Sequence, residues 1–242
     1  MKTGILTLGV AIAAAALPLH AEDAPEKKWK NAAEVSVVST NGNSKTQTTA
    51  AKNVFNYQFN AQTALDVEGG GLGSRSKGAV TSEQYYASEK VTLKLDDRNY
   101  VYEKYRWDRD RFKDLAHRHD FAAGVGREMW KTAKNLLILE AAPGYVNEEH
   151  LQTPRKTFAS SRVYVKYTRE FSPSSRFTQD AEWVQSFKDK RDTRINTETA
   201  VTAALNSLFS VKNSFIWKHD SRPPTGVSKD DTILSVAMIA SF

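Results

Sequence analysis

Between Phe209 and Lys218 the chain alternates. Phe209, Val211, Phe215 and Trp217 fall on one parity, and Ser210, Lys212, Ser214 and Lys218 on the other. A period of two marks a strand with one apolar and one polar face. The pattern recurs elsewhere. Val163, Val165 and Tyr167 oppose Arg162, Lys166 and Thr168. Phe177, Ala181, Trp183 and Phe187 oppose Asp180, Glu182 and Lys188. Thr197, Thr199, Val201, Ala203 and Leu205 oppose Arg194, Asn196, Glu198 and Thr202. About twelve runs of this kind are bounded by turn residues. They span roughly 29–40, 45–59, 61–74, 82–95, 99–109, 117–128, 135–148, 157–170, 176–188, 192–205, 208–219 and 230–242. No run with helical period stands between them.

The connections alternate as well. Segments 41–45, 74–81, 109–117, 148–156, 189–192 and 220–230 are polar and mostly long, whereas those near Asn60, 96–98, 130–135, 172–175 and 206–207 are tight. Long loops on one side and short turns on the other describe an all-β, up-and-down antiparallel transmembrane β-barrel with short periplasmic turns and longer extracellular loops. Aromatic residues gather at the strand ends. Tyr57, Phe59, Tyr100, Trp130, Phe171, Phe177 and Phe209 lie near short turns, and Trp107, Phe187 and Trp217 near long loops. Two such girdles mark two membrane interfaces. A soluble periplasmic barrel or sandwich also alternates, but its polar face meets bulk water and it needs no girdles.

The start of the chain changes the compartment. Lys2, the apolar run Ile5–Leu17 and the small Ala21 read as a secretory signal over 1–21, which leaves 22–242 as the barrel domain. The apolar run is shorter than the ~20 residues of a spanning helix. There is no cysteine, so neither a lipid-anchored cysteine nor a disulfide is available. The mean hydropathy of −0.53 resembles that of a soluble protein. A membrane barrel gives the same value, because its apolar residues occupy alternate positions. The formal net charge is +6, one unit of it from Lys2 in the leader. This mild excess, with both signs interspersed, suits an anionic membrane surface or small ions. No clustered basic helix suggests nucleic acid.

The last strand carries Leu234, Val236, Met238, Ala240 and Phe242 on one parity. Its form resembles the C-terminal signal read by the outer-membrane barrel assembly machinery. In a closed barrel this strand pairs with the first, so no edge remains.

Four stretches, in order, resemble the family designated domain of unknown function 481, the YdiY-like salt-induced outer-membrane proteins. They are STNGNSKTQTT (39–49), WDRDRF (107–112), LEAAPGYVNE (139–148) and SRPPTGVSKDDTILSVAMIASF (221–242). The resemblance implies an outer-membrane location and a link to salt stress. A barrel in that membrane is expected to contact its lipid and lipopolysaccharide. It brings no catalytic residues and no cofactor.

Candidate chemistry is sparse. His219 and Ser221 share a parity and faintly resemble the His-x-Ser pair of lipid-modifying barrel enzymes, which use an imidazole-activated serine. However, Arg222-Pro223-Pro224 follows instead of the expected Asn-Gly or Asn-Ala. The bland alternative is a strand end followed by a Pro-rich loop. His117 and His119 stand at i and i+2 and would need a carboxylate to hold a metal. Gly73 and Gly78 have P-loop spacing, but Ala79-Val80 replace the required Lys-Ser/Thr. The strongest feature is a ladder of inward charges: Lys90, Lys94, Lys104, Arg106, Arg162, Lys166, Asp180, Glu182, Glu198, Lys212 and Lys218. Charges enclosed in a barrel must be paired or hydrated. The ladder therefore makes either a salt-bridge plug or a narrow polar pore for small solutes or ions. Glu89 and Glu103 share parity with apolar neighbours, so they would face lipid unless a bulge re-aims them or the strands extend above the bilayer there. The expected protein is a non-enzymatic outer-membrane barrel. The alternative is a phospholipase or deacylase using His219 and Ser221.

Overall fold

The computed structural model describes residues 27–40 and 46–242; the expected signal over 1–21 lies outside them. Twelve antiparallel strands close into one barrel, each paired with its sequence neighbours and β1 (Trp29–Thr40) with β12 (Asp230–Ser241). The others are β2 (Thr46–Gln58), β3 (Thr63–Ser76), β4 (Ala79–Lys94), β5 (Asn99–Asp110), β6 (Leu115–Lys131), β7 (Asn135–His150), β8 (Lys156–Ser172), β9 (Ser175–Ser186), β10 (Thr193–Ala204) and β11 (Phe209–Asp220). Closure satisfies the backbone groups that an open sheet edge would leave bare in hydrocarbon. The seam between β1 and β12 is short, running from Ala32 opposite Ser241 to Val35 opposite Met238. Two backbone bonds extend it: Phe242 N–H donates to Asn31 O at 2.8 Å, and Asn31 N–H to Phe242 O at 3.3 Å.

The alternation sets two faces. Leu234, Val236, Met238 and Phe242 point outward and are at least half exposed, as a lipid-facing band requires. Trp29, Phe59, Trp130, Phe171 and Phe187 are also exposed on the outer face. Tyr100 departs from the girdle expected of it. It shares the inward parity of Tyr102 and is buried with Tyr102, Ala122 and Ala142 against Ile138. Its ring lies on Gly126, where a Cβ would collide with it.

The tight turns have local causes. Asp96 closes β4–β5 by accepting the N–H groups of Arg98 and Asn99 at 2.8 and 2.7 Å. The Asn99 side-chain amide and these backbone donors hold its carboxyl down to about 2. One connection differs from the expected long loop. Strands β3 and β4 run up to a two-residue turn, Lys77-Gly78, with φ of 49° and 85°. Positive φ at both positions is the type I′ geometry that matches strand twist. The β5–β6 connection holds a single 3-10 turn, Arg111–Lys113, between Asp110 and Asp114.

Candidate functional site: the barrel lumen

The charged ladder is inside. Its register is continuous: Lys90 lies opposite Lys104, Lys166 opposite Asp180, Asp180 opposite Glu198, and Lys218 opposite Asp231. Arg106, Glu182 and Lys212 keep the same inward parity, opposite Ser88, Asn196 and Ala237. Lys94 is inward at the periplasmic end, opposite Tyr100.

Pairing is concentrated on one wall. Glu140 on β7 is 2% exposed. It accepts the Tyr100 hydroxyl at 2.7 Å and Arg162 Nη1 at 3.2 Å, and pairs with Lys90. Arg162 also donates Nε to Glu182 at 2.6 Å and Nη1 to Tyr102 at 2.8 Å. Lys104 reaches the same Glu182 oxygen at 3.1 Å. Toward the extracellular end Glu148 takes Arg118 and Arg194, both at 2.6 Å. Arg106 grips Asp108 and lies over the Tyr86 ring. Each charge meets opposite charge and hydrogen bonds together, which a desolvated ion needs.

The opposite wall is emptier. A cavity of about 370 Å³ runs inside the barrel, lined among others by Glu34, Ser36, Lys52, Glu68, Lys212 and Ser235. Lys212 bridges Glu198 at 2.5 Å and Glu34 at 3.3 Å, and Lys52 pairs with Glu68 at 3.1 Å. Lys94, Lys166, Asp180 and Lys218 have no ion pair among the described residues. Asp180 and Lys218 line the cavity. There an unpaired charge is available to water or a solute.

The ladder read from sequence lacks Glu34, Arg118, Glu140, Glu148 and Arg194. Their parity was the available signal: Glu140 shares a face with Ala142, Gly144 and Val146, and Arg118 with Asp120. Small neighbours conceal how deeply these charges sit.

The other candidates are separated. His219 Nδ1 is 2.8 Å from Asp230 Oδ1. Ser221 Oγ instead accepts Thr193 N–H at 2.7 Å and donates to the Arg191 carbonyl at 2.5 Å. No hydrogen bond joins His219 to Ser221 among the described residues, so the imidazole does not activate that hydroxyl in this arrangement. His117 and His119 point outward and stack at 6.4 Å between centroids. Trp107 Nε1 donates to His117 Nδ1 at 3.1 Å, and the Tyr105 hydroxyl meets His119 Nδ1 at 2.9 Å. Among the described residues no three His, Asp or Glu side chains gather as metal ligands. Gly73 sits in β3 and Gly78 in the turn beyond it, so they form no phosphate loop.

Glu89 and Glu103 do face outward. Glu89 opposes Tyr105 and Val91 opposes Glu103, with no register shift between these strands. Neither carboxylate has a hydrogen bond or ion pair among the described residues. They flank an outer groove with Tyr105, Phe121, Pro143 and Tyr145.

Solved barrels share this architecture. The COG4313 outer membrane channel from Pseudomonas putida F1 aligns with TM-score 0.57 at 9% identity, over 90% of this chain and 97% of that one. The NanC porin aligns with TM-score 0.52 at 10% identity, over 88% and 97%. The translocator domain of autotransporter NalP from Neisseria meningitidis aligns with TM-score 0.50 at 10% identity, over 91% and 90%. At such identities the likeness concerns the fold, an outer-membrane type of barrel. In sequence the chain is 23% identical over 199 residues to the uncharacterized protein YdiY of Escherichia coli (strain K12), covering 82% of this chain and 77% of that one. Residues 33–242, nearly the whole barrel, match the family described as "Protein of unknown function, DUF481", and the chain belongs to that family.

Proposed function

We propose that the protein is a narrow, non-enzymatic pore for ions or small polar solutes in the outer membrane. The observation that carries this reading is the 370 Å³ cavity inside the barrel, lined by charges of both signs. A lumen meant only to be filled has no use for Asp180 and Lys218 standing unpaired along empty space, since buried charges without partners are costly. Water and a passing solute supply the missing solvation. Charges of both signs favour hydrated ions and polar solutes over strongly charged ones. The outer band, with Leu234, Val236, Met238 and Phe242, packs against the acyl chains of phospholipid and lipopolysaccharide. The same band on β12 is what the assembly machinery engages.

The test is conductance of refolded protein in a planar bilayer. Discrete steps are expected. Asp180→Asn and Lys218→Gln should shift ion selectivity in opposite directions, with Asp180→Asn favouring anions. A silent bilayer, with folded barrel verified by heat-modifiable migration, would overturn the reading.

A further inference from the structure

The 3-10 turn Arg111–Lys113 belongs to the β5–β6 connection, yet Lys113 pairs with Asp231 on β12. Strands β5 and β12 stand on opposite sides of the closed barrel, with β4, β3, β2 and β1 between them on the shorter path. Twelve tilted strands spaced ~4.8 Å apart enclose a ring about 24 Å across. Lysine and aspartate side chains together reach only about 9 Å. The turn must therefore lean inward over the extracellular mouth for the two to meet. Lys113, Leu115 and Asp110 line the same cavity as Asp220, Pro224, Val227 and Ile233, which places both banks around one space.

The turn is built to stay there. Asp110 Oδ1 accepts the N–H groups of Phe112 and Lys113 at 3.1 and 3.2 Å. Asp114 has φ of 59° and ends the turn. Its carboxylate takes Gln152 N–H at 2.7 Å and the Thr153 hydroxyl at 2.7 Å, which ties the turn to the β7–β8 connection. Arg111 reaches back to Glu83 on β4 at 3.2 Å. Three anchors thus fix the near side. On the far side the Lys113–Asp231 pair spans the opening.

We propose that Arg111–Lys113 is a strap across the mouth of the pore, held on its far side by Lys113–Asp231, and that it sets the size limit for solutes entering the lumen. This rests on the pore reading for its purpose. Its geometry can be tested without conductance. Lys113 and Asp231 are each about one-third exposed, at 31% and 33%. A partly exposed pair is weak and screened by salt. The strap should therefore loosen as ionic strength rises.

The natural chain has no cysteine, so a single one reports cleanly. Ser235→Cys places a thiol on the inward face of β12, inside the cavity. Its labelling rate would be compared for N-ethylmaleimide and a bulkier biotin–polyethylene-glycol maleimide, both uncharged. In the Lys113→Ala background the bulky reagent should react several-fold faster and the small one at an unchanged rate. The exchange Lys113→Asp with Asp231→Lys should restore the slow rate. Raising salt should speed bulky labelling with Lys113 present and have no effect after Lys113→Ala. Equal bulky-reagent rates in the parent and Lys113→Ala would overturn the strap. Size-dependent labelling in a barrel that never conducts would uphold the strap and remove the pore reading alone.

Discussion

The wall made by β5 to β8 and the wall made by β11, β12, β1 and β2 have the same alternation, and they enclose different things. On the first, Tyr100, Tyr102, Ala122, Glu140, Ala142, Val146, Phe158, Ser160 and Arg162 point inward and are buried. Its strands β6, β7 and β8 are 17, 16 and 17 residues long. On the second, Ser36, Ala50, Ser214 and Ser235 line the cavity, and β11, β12 and β1 are 12 residues each. Tyr100, Tyr102, Phe158 and Arg162 pack the interior on the first wall, whereas small side chains on the second border the cavity, whose far rim Leu115, Arg118 and Glu148 of the first wall complete. Alternation decides which face looks inward, and side-chain volume decides whether that face is solid or hollow.

The largest effect is expected on the solid wall. Glu140→Leu removes the carboxylate that Lys90, Arg162 and the Tyr100 hydroxyl share. Breaking a buried pair on one side costs about 3–5 kcal/mol, because the cation left behind stays buried. The urea midpoint of refolded barrel should fall accordingly. A shift below that of a surface substitution would show that this wall is hydrated and that the two walls do not differ as described.

Next comes Gly126→Ala. The added Cβ meets the Tyr100 ring, an overpacking worth about 1–3 kcal/mol. Trimming the ring with Tyr100→Leu should recover part of the loss in the double variant. Failure to recover would locate the strain in the backbone instead.

A smaller change of opposite sign is expected on the outer face of β4 and β5. Glu89→Leu and Glu103→Leu remove unpaired carboxylates from a lipid-facing surface. Acidic groups there cost less than the ~2–4 kcal/mol of a midplane Arg or Lys. Each substitution should raise the unfolding free energy by about 1 kcal/mol in lipid bilayers, read as a higher urea midpoint. Destabilisation would show that the carboxylates have a partner in the membrane.

On the hollow wall, Ser235→Leu grows into the cavity and gives up one hydroxyl contact, to Ser36 Oγ at 3.1 Å, so it should cost about 1 kcal/mol. It should reduce conductance. A large loss of stability would mean that the cavity is not open.

The smallest effect concerns a turn outside both walls. Asp96→Ala should slightly lower the midpoint at neutral pH. The folded pKa of Asp96 lies below its ordinary value, so its contribution is present above that value and fades as pH falls toward about 2. The difference between parent and variant should therefore close in acid. A difference that persists there would assign the effect to backbone conformation.

Much of this molecule was legible in the sequence. The twelve runs coincide with the twelve strands to within a few residues, because inside and outside alternate strictly in a barrel wall. The same alternation sets Arg106, Asp180, Glu182, Glu198, Lys212 and Lys218 along the cavity. Two local readings failed through geometry that spacing does not display. Segment 74–81 held a Lys-Gly pair able to take positive φ, so an expected loop became a hairpin turn. Tyr100 lay at a strand end as a girdle residue would, but its parity turned it inward onto Gly126.

What the sequence by itself determined is periodic and local: the strands, their faces and the sign of each lumen charge. Only the tertiary structure decided which charges meet. Glu140 pairs with Lys90 across two intervening strands, and Lys113 with Asp231 across the barrel mouth. Those partners depend on tilt and closure, which bring residues on non-adjacent strands to the same height. Neither quantity is written in the order of polar and apolar residues along one strand.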